Sequence, residues 1–526
     1  MSISSHPKGL YVLFFTEAWE RFSYYGMRAL LVLYLVKHLN MERHGALEIY
    51  ALYTGLVYFT PMIGGYLADK YLGARKAIII GGSVMALGHL AMAFDSLLYT
   101  ALGLLIVGNG FFKPNISTIV GGLYEEHDPR RDGGFTIFYM GINLGAFFSP
   151  LVCGTLGETV GWDWGFSAAG IGMAVGLLVF LMGQKLLGPK GFPPHSNRDY
   201  LNAKDYADIG IYTAASVAFV IGFIKFWSFF GPHWNAFTLT HKTAFSVFLI
   251  AAVLSIGKLF TKKNKAIAMP LAGAEALEDG DEDAPLTWPE WQRIIVICVI
   301  SVFVIFFWMG FEQAGGTLTL FADQQTNRNL MGYEIPASYF QSINPLAIML
   351  LAPFFSILWF KIDDSKYALS TPAKMAIGMI TLGIGFIVMY FGQSLAFAGD
   401  ANKLITVPMT NGFTIFPAEV YIREYGKVGP MWLVMVYLIH TIGELCLSPI
   451  GLSMVTKLSP ARVVSLMMGI WLVSSALSNY LAGRLEEILS IYQMNIYVFL
   501  IITSIGAGIL LLAMTPLLNR WSHGKA

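Results

Sequence analysis

YVLFFTEAWERFSYYGMRALLVLYL, residues 11–35, is apolar enough for a membrane helix yet carries Glu17, Glu20, Arg21, Tyr24 and Arg28. Their spacing, i, i+3, i+4, i+7 and i+11, lines them along one helix face. An ionisable group inside a bilayer is costly, faces protein or water, and marks a functional site by default. The stripe therefore predicts a proton or solute pathway beside this helix.

The rest of the chain has the same character. Of 526 residues, 56% are hydrophobic and only 13% charged, with a mean hydropathy of +0.60. Apolar stretches long enough to span recur near 11–38, 46–68, 76–96, 98–122, 134–158, 165–187, 206–229, 240–260, 291–318, 337–360, 373–394, 430–456, 463–483 and 495–517. The expectation is an all-α polytopic membrane protein with 14 transmembrane helices and the lipid bilayer as its surroundings. A net charge of +1 implies no nucleic acid partner. The N-terminus lacks a signal-peptide pattern, so the first span is expected to be retained. Cys153, Cys298 and Cys446 fall inside spans and read as small core residues. HExxH, GxSxG and Walker A patterns are absent, so no metal, no catalytic residues and no ATP-driven step are expected. Energy would come from an ion gradient.

Lys and Arg gather in alternate loops: Lys70, Arg75 and Lys76; Lys185, Lys190, Arg198 and Lys204; Lys258, Lys262, Lys263 and Lys265. The positive-inside rule then puts both termini in the cytoplasm. The polar stretch KNKAIAMPLAGAEALEDGDEDAPLTWPEW, Lys263 to Trp291, separates eight spans from six. The expected organisation is an N-terminal six-helix bundle (1–188), an inserted helix pair with flanking loops (189–262), a cytoplasmic linker (263–290) and a C-terminal six-helix bundle (291–526). The inserted pair, with Lys225 its main intramembrane charge, reads as scaffold. Two bundles suggest a transporter built from repeats.

GGYLADKYLGARK, Gly64 to Lys76, resembles the loop signature of the major facilitator superfamily. There Asp69 and Arg75 could cap helix ends and pair across the bundle at the cytoplasmic face. EAWERFSYYG, with Glu17, Glu20 and Arg21, resembles the ExxER motif of the proton-dependent oligopeptide transporter family. GNGFFKPN (Gly108 to Asn115), FYMGINLG (Phe138 to Gly145), FWMGFEQ (Phe307 to Gln313) and ELCLSPIGLS (Glu444 to Ser453) match as well, in order along nearly the whole chain.

The resemblance implies a major facilitator fold with two extra helices, as in bacterial relatives, and proton-coupled import of di- and tripeptides by alternating access. It implies no cofactor beyond protons as coupling ion, no enzyme activity, a bacterial inner membrane location and function as a monomer. By the same resemblance Arg28 and Lys113 would face the peptide carboxylate, and Glu444, Asn143 and Asn344 its amino terminus. Tyr24, Tyr25, Tyr58, Trp308 and Trp471 would line side-chain pockets, with Ser448 in the same binding set. Glu17, Glu20, Arg21 and Glu312 would couple protonation to conformation. Some relatives carry a span-two histidine linked to coupling, but residues 46–68 contain none. Coupling here would rest on carboxylates. The alternative is the same fold with another cargo: nitrate, a drug-like molecule or another small metabolite.

Helix depth provides an independent reading. Arg28 lies about 17 residues from the inner end of its span and Glu312 about 20 from the inner end of its own; Lys113 and Glu444 lie about 15 and 14 from their outer ends. Two ion pairs bridging the halves are therefore expected, Arg28 with Glu312 and Lys113 with Glu444. His89, His233 and His440 lack metal-ligand spacing and read as structural or loop residues. Pro61, Pro114, Pro150, Pro345 and Pro449 fall within spans as kinks. Gly141 and Gly145 form a GxxxG pair that suggests a close helix crossing.

Overall fold

The computed structural model describes residues 6–192, 286–398 and 426–524, apart from 126, 127, 129, 367, 461 and 462, together with residues 207, 211, 213, 214, 218 and 222. Apart from those last six residues, the expected helix pair lies outside the described residues, as do Lys225, His233, most of the linker and the side chain of Ser448. Before residue 193 come α1 (Lys8–Lys37), α2 (Arg43–Phe59), α3 (Pro61–Leu67), α4 (Ala74–Ala91), α5 (Leu98–Gly122), α6 (Arg131–Thr155) and α7 (Trp162–Gly183). After residue 285 come α8 (Trp288–Phe311), α9 (Thr317–Gln324), α10 (Ile343–Asp363), α11 (Thr371–Ala398), α12 (Met431–Leu458), α13 (Val464–Ile491) and α14 (Ile496–Trp521). The strand content among these residues is a two-stranded hairpin, β1 (Asn329–Leu330) and β2 (Tyr333–Glu334).

Local chemistry sets several boundaries. Pro61 has no N–H to donate and stands at the first position of α3, so span two is interrupted there. Thr287 and Glu290 form a reciprocal capping box at the start of α8, Glu290 accepting from the Thr287 backbone N–H at 2.8 Å. Asn495 caps α14 by accepting from the Tyr497 N–H at 2.9 Å. Pro114 and Pro150 sit inside α5 and α6, where packed neighbours absorb the lost bond. The span read as 291–318 reaches further, to Gln324, and breaks at Glu312–Gly315 into a 3₁₀ turn.

Packing repeats between the halves. In the first, α1 packs on α6 and α7, and α4 on α5 and α7; in the second, α8 packs on α13 and α14, and α11 on α12 and α14. Exchanging α1 with α8, α4 with α11, α5 with α12, α6 with α13 and α7 with α14 maps one set onto the other. The contacts between halves, α2 on α13 and α6 on α10, also exchange under that rule. Such a pattern belongs to two repeats related by a twofold axis along the bundle. Lys8 and Trp521 mark one end of the bundle, termed the terminal end; Lys37, Arg43 and Glu486 mark the opposite, distal end.

Hydrophobicity is inverted relative to a soluble protein. Met182, Phe354, Phe360 and Ile509 stand exposed on the periphery, while Glu17, Glu20, Arg21, Arg28, Glu312 and Glu444 are buried. Nine helices among the described residues are long and apolar enough to cross a bilayer. Helix α1 is not one of them because its polar stripe displaces apolar residues. Cys153 and Cys446 are buried and Cys298 half-buried, all three as free thiols.

The α1–α6 crossing depends on missing side chains. A Cβ on Gly145 would lie 2.1 Å from the Ala18 carbonyl oxygen, and one on Gly141 2.9 Å from that of Phe14. Backbone cannot yield as a flexible side chain can, so the GxxxG pair is what brings α6 against the charged stripe. Gly145→Ala should lower stability by ~1–3 kcal/mol, the usual cost of overpacking. Gly506→Ala, where an added Cβ meets nothing within 4 Å, should be neutral or stabilising. Thermal unfolding of both variants in one detergent checks the contrast.

Candidate functional site

Helix α1 presents its stripe to the interior as a cluster with two levels. At the lower level Arg21 Nε donates to Glu17 Oε1 at 2.7 Å and lies 3.0 Å from Glu20 Oε2. Asn109 of α5 donates its amide N–H to Glu20 Oε1 at 3.2 Å. One turn along α5, Lys113 places its ammonium 4.4 Å from the centre of the Tyr58 ring. Cations are held over aromatic faces by the ring quadrupole. Tyr24 meets Tyr25 edge-on and stacks against Tyr53, closing the floor between α1 and α2.

At the upper level Arg28 forms a buried ion pair with Glu312, joining the two halves. Tyr50 of α2 supports it, its hydroxyl accepting from Arg28 Nε at 2.7 Å. The Arg28 guanidinium also lies 5.7 Å from the Tyr25 ring centre. Glu312 stands where α8 ends and the 3₁₀ turn begins. Irregular backbone at bilayer depth is tolerated where it is enclosed by protein or lines a cavity.

Glu444 is buried on α12 and faces α10: Asn344 Nδ2 donates to Glu444 Oε2 at 2.9 Å and to Thr441 Oγ1 at 3.0 Å. No ion pair joins Lys113 to Glu444, which corrects the second expected bridge. Lys113 lies against Tyr58 and Glu444 against Asn344, and helix depth, even where it agrees, does not fix lateral distance. Asn143 donates to the Tyr139 carbonyl of its own helix at 3.0 Å instead of joining Asn344. Trp308 packs edge-on against Phe307 and Phe311. Trp471 covers Gly451, where an added Cβ would be 2.6 Å from its ring.

The loop motif at the terminal end also departs from expectation. Arg75 donates to the Lys190 carbonyl at 2.7 Å and to that of Gly188, and stacks 4.3 Å from the Phe192 ring centre. It closes the chain after α7 within its own half, and no ion pair with Asp69 forms. Burial pushes the Asp69 carboxyl above the ordinary aspartate range. His89 and His440 are both buried, His440 tilted against Phe386 at 4.6 Å between ring centres.

Sequence reasoning missed the distal contacts between halves. Arg43 Nε is 2.5 Å from Glu486 Oε1, and Arg484 Nη1 is 2.5 Å from Glu48 Oε1, so α2 and α13 exchange charges reciprocally. Lys37 reaches Asp323 at 2.9 Å, and Arg328 binds the same carboxylate at 3.1 Å. Glu158, just beyond α6, accepts from the backbone N–H groups of Ala337 and Ser338 at 2.8 and 2.9 Å. A carboxylate of one half thus caps the helical turn leading into α10 of the other. At the terminal end the bonds of Arg75, the His6–Tyr124 contact at 2.9 Å and the Lys374–Asp363 pair at 2.7 Å each stay within one half. The described bonds therefore fasten the halves together distally.

A family model described as the POT family matches residues 75–198 and 287–500. The chain belongs to the POT family. It is 35% identical to "Peptide transporter YePEPT" of Yersinia enterocolitica over 97% of this chain and 94% of that one. It is 34% identical to "Uncharacterized transporter YclF" of Bacillus subtilis, over 99% and 96%. The crystal structure of a peptide transporter POT in complex with sulfate superposes with a TM-score of 0.75 at 32% identity, covering 99% of this chain and 97% of that one. The POT family is one of transporters and not of enzymes, and its members share the two-bundle major facilitator architecture seen here.

Charge reversal tests the distal contact. Glu48→Arg or Arg484→Glu alone should cost ~2 kcal/mol or more, because each leaves like charges facing across α2 and α13. The double reversal should recover part of the loss, since Arg484 also pairs with Glu487 at 3.0 Å, and a double-mutant cycle on thermal midpoints measures it.

Proposed function

We propose that this protein is a proton-coupled symporter that imports di- and tripeptides by alternating access in a bacterial inner membrane. The reading has both termini in the cytoplasm and the functional unit a single chain. The observation that carries it is the Arg28–Glu312 pair, a buried cation and carboxylate from opposite halves. A proton on Glu312 removes one charge, frees Arg28, and leaves the guanidinium needing an anion. A peptide carboxylate meets that need, because Arg presents a planar fork of donors to a carboxylate.

The peptide's amino terminus requires the opposite charge. Glu444, held by Asn344, supplies it on the other side, while Lys113 adds a second cation near the carboxylate end. A zwitterion thus finds both signs within one site, which favours peptides over nitrate or another single-sign anion. Tyr24, Tyr25, Tyr58, Trp308 and Trp471 offer aromatic surface for side chains. Glu17, Glu20 and Arg21 form a second charged group in which proton uptake alters the electrostatics around Lys113. With the halves fastened distally, parting them at the terminal end, inward on this orientation, breaks none of those distal contacts. Protonation and peptide both bias one two-state element, the condition for coupling them.

Uptake of labelled dialanine into proteoliposomes tests the proposal. An inward proton gradient should drive accumulation, a protonophore should abolish it, and Glu312→Gln should lose accumulation while retaining exchange of dialanine for dialanine. Full accumulation by Glu312→Gln would contradict the assigned role. Absence of dialanine uptake under a verified gradient would move the proposal to the other small solutes.

A further inference from the structure

The Glu17–Glu20–Arg21 cluster is short of hydrogen-bond donors. Arg21 directs its Nε–H at Glu17 Oε1. Glu17 Oε2, Glu20 Oε2 and the Asn109 side-chain oxygen are all buried without a hydrogen-bond partner. Asn109 itself is 1% exposed, and among the described residues its cross-helix bond is the donation to Glu20 Oε1. Around Glu20 the charged or titratable groups are Glu17 and Arg21 on α1, Lys113 on α5 and Tyr53 on α2. From α7, Gly176 packs against the Glu20 backbone and brings no charge.

One added proton changes this balance. A carboxylate only accepts, whereas a carboxylic acid also donates. An asparagine amide has donor and acceptor at nearly interchangeable positions, so a half-turn about its last torsion swaps them without moving the backbone. We propose that Asn109 is a positioning residue for the proton at Glu20. Its amide donates to the charged carboxylate and, after a half-turn, accepts from the protonated acid through the oxygen that otherwise has no partner. The O–H bond forms on Glu20 Oε1 with a proton from the aqueous phase, and no other bond changes. Asn109 lets Glu20 alternate between its two states without either being left unmatched, and holds the carboxyl at a fixed distance from Arg21 and Lys113. The inference deepens proton symport and rests on that reading.

Infrared difference spectroscopy of the full-length protein in proteoliposomes reads this bond directly. The carboxylic acid C=O band lost in Glu20→Gln identifies the group, and its amplitude is followed against pH. In Asn109→Leu, close to asparagine in shape, the band should move to higher frequency. Its pH midpoint should rise by about one unit, since the bond to a charged acceptor is the stronger of the two forfeited. Asn109→Thr keeps a hydroxyl that can donate and accept, and should stay nearer the wild type than its isostere Asn109→Val. An unchanged frequency and midpoint in Asn109→Leu would overturn the proposal. If the leucine variant fails to fold, equal midpoints for the threonine and valine variants would do so. Gradient-driven dialanine uptake by the wild type in the same vesicles reports the symport reading separately, so the two can fail independently.

Discussion

The buried pair of Arg28 and Glu312 is the constraint on which the rest of the arrangement depends. It is a contact between the two halves, and it lies where desolvation is severe. Leaving one member of a buried pair uncompensated costs roughly 3–5 kcal/mol. That is about two to four powers of ten in the balance between two states, enough for one proton to redirect the molecule. The surrounding chemistry serves the pair. Tyr50 holds the guanidinium, and the chain breaks after Phe311 so that Glu312 turns inward. Gly141 and Gly145 let α6 lie close enough to keep the α1 stripe enclosed.

The distal contacts have a different character. Lys37, Arg43 and Glu486 are partly exposed, so each pair contributes less than a buried one, nearer the ~0–1 kcal/mol of surface salt bridges. Several weak contacts can be made and broken together, which a gate requires and a permanent core does not. Glu158, though its side chain is nearly buried, can still be released, since a carboxylate capping another half's helical turn comes free by rigid-body motion without unfolding either element. The buried pair then decides the state and the distal set adds to whichever state it favours.

Much of the fold was legible in the sequence because bilayer physics imposes long apolar helices, and the charged stripe of α1 stands out against them. Arg28 and Glu312 were legible as partners because their depths agreed. The same depth argument failed for Lys113 and Glu444, since equal height says nothing about lateral distance; Tyr58 and Asn344 are what they touch. Glu158, Arg43 and Arg484 went unread because charges at span ends look like ordinary solvated ends. The signal that could have found them is complementarity: opposite charges at the distal ends of the spans read as 46–68 and 463–483. Asn109 lay within a quoted motif, but an asparagine in an apolar helix declares no partner until the neighbouring helix is placed. All but six residues of the helix pair expected between the bundles lie outside the described residues.

Electron–electron resonance distances across the distal end test the central claim most directly. Spin labels at Glu42 and Tyr492, both exposed and on opposite halves, are placed in a cysteine-free background. At high pH the wild type should give one short distance, and low pH or Glu312→Gln should add a longer population. A distribution unchanged by both would mean that the Arg28–Glu312 charge does not hold the distal end closed.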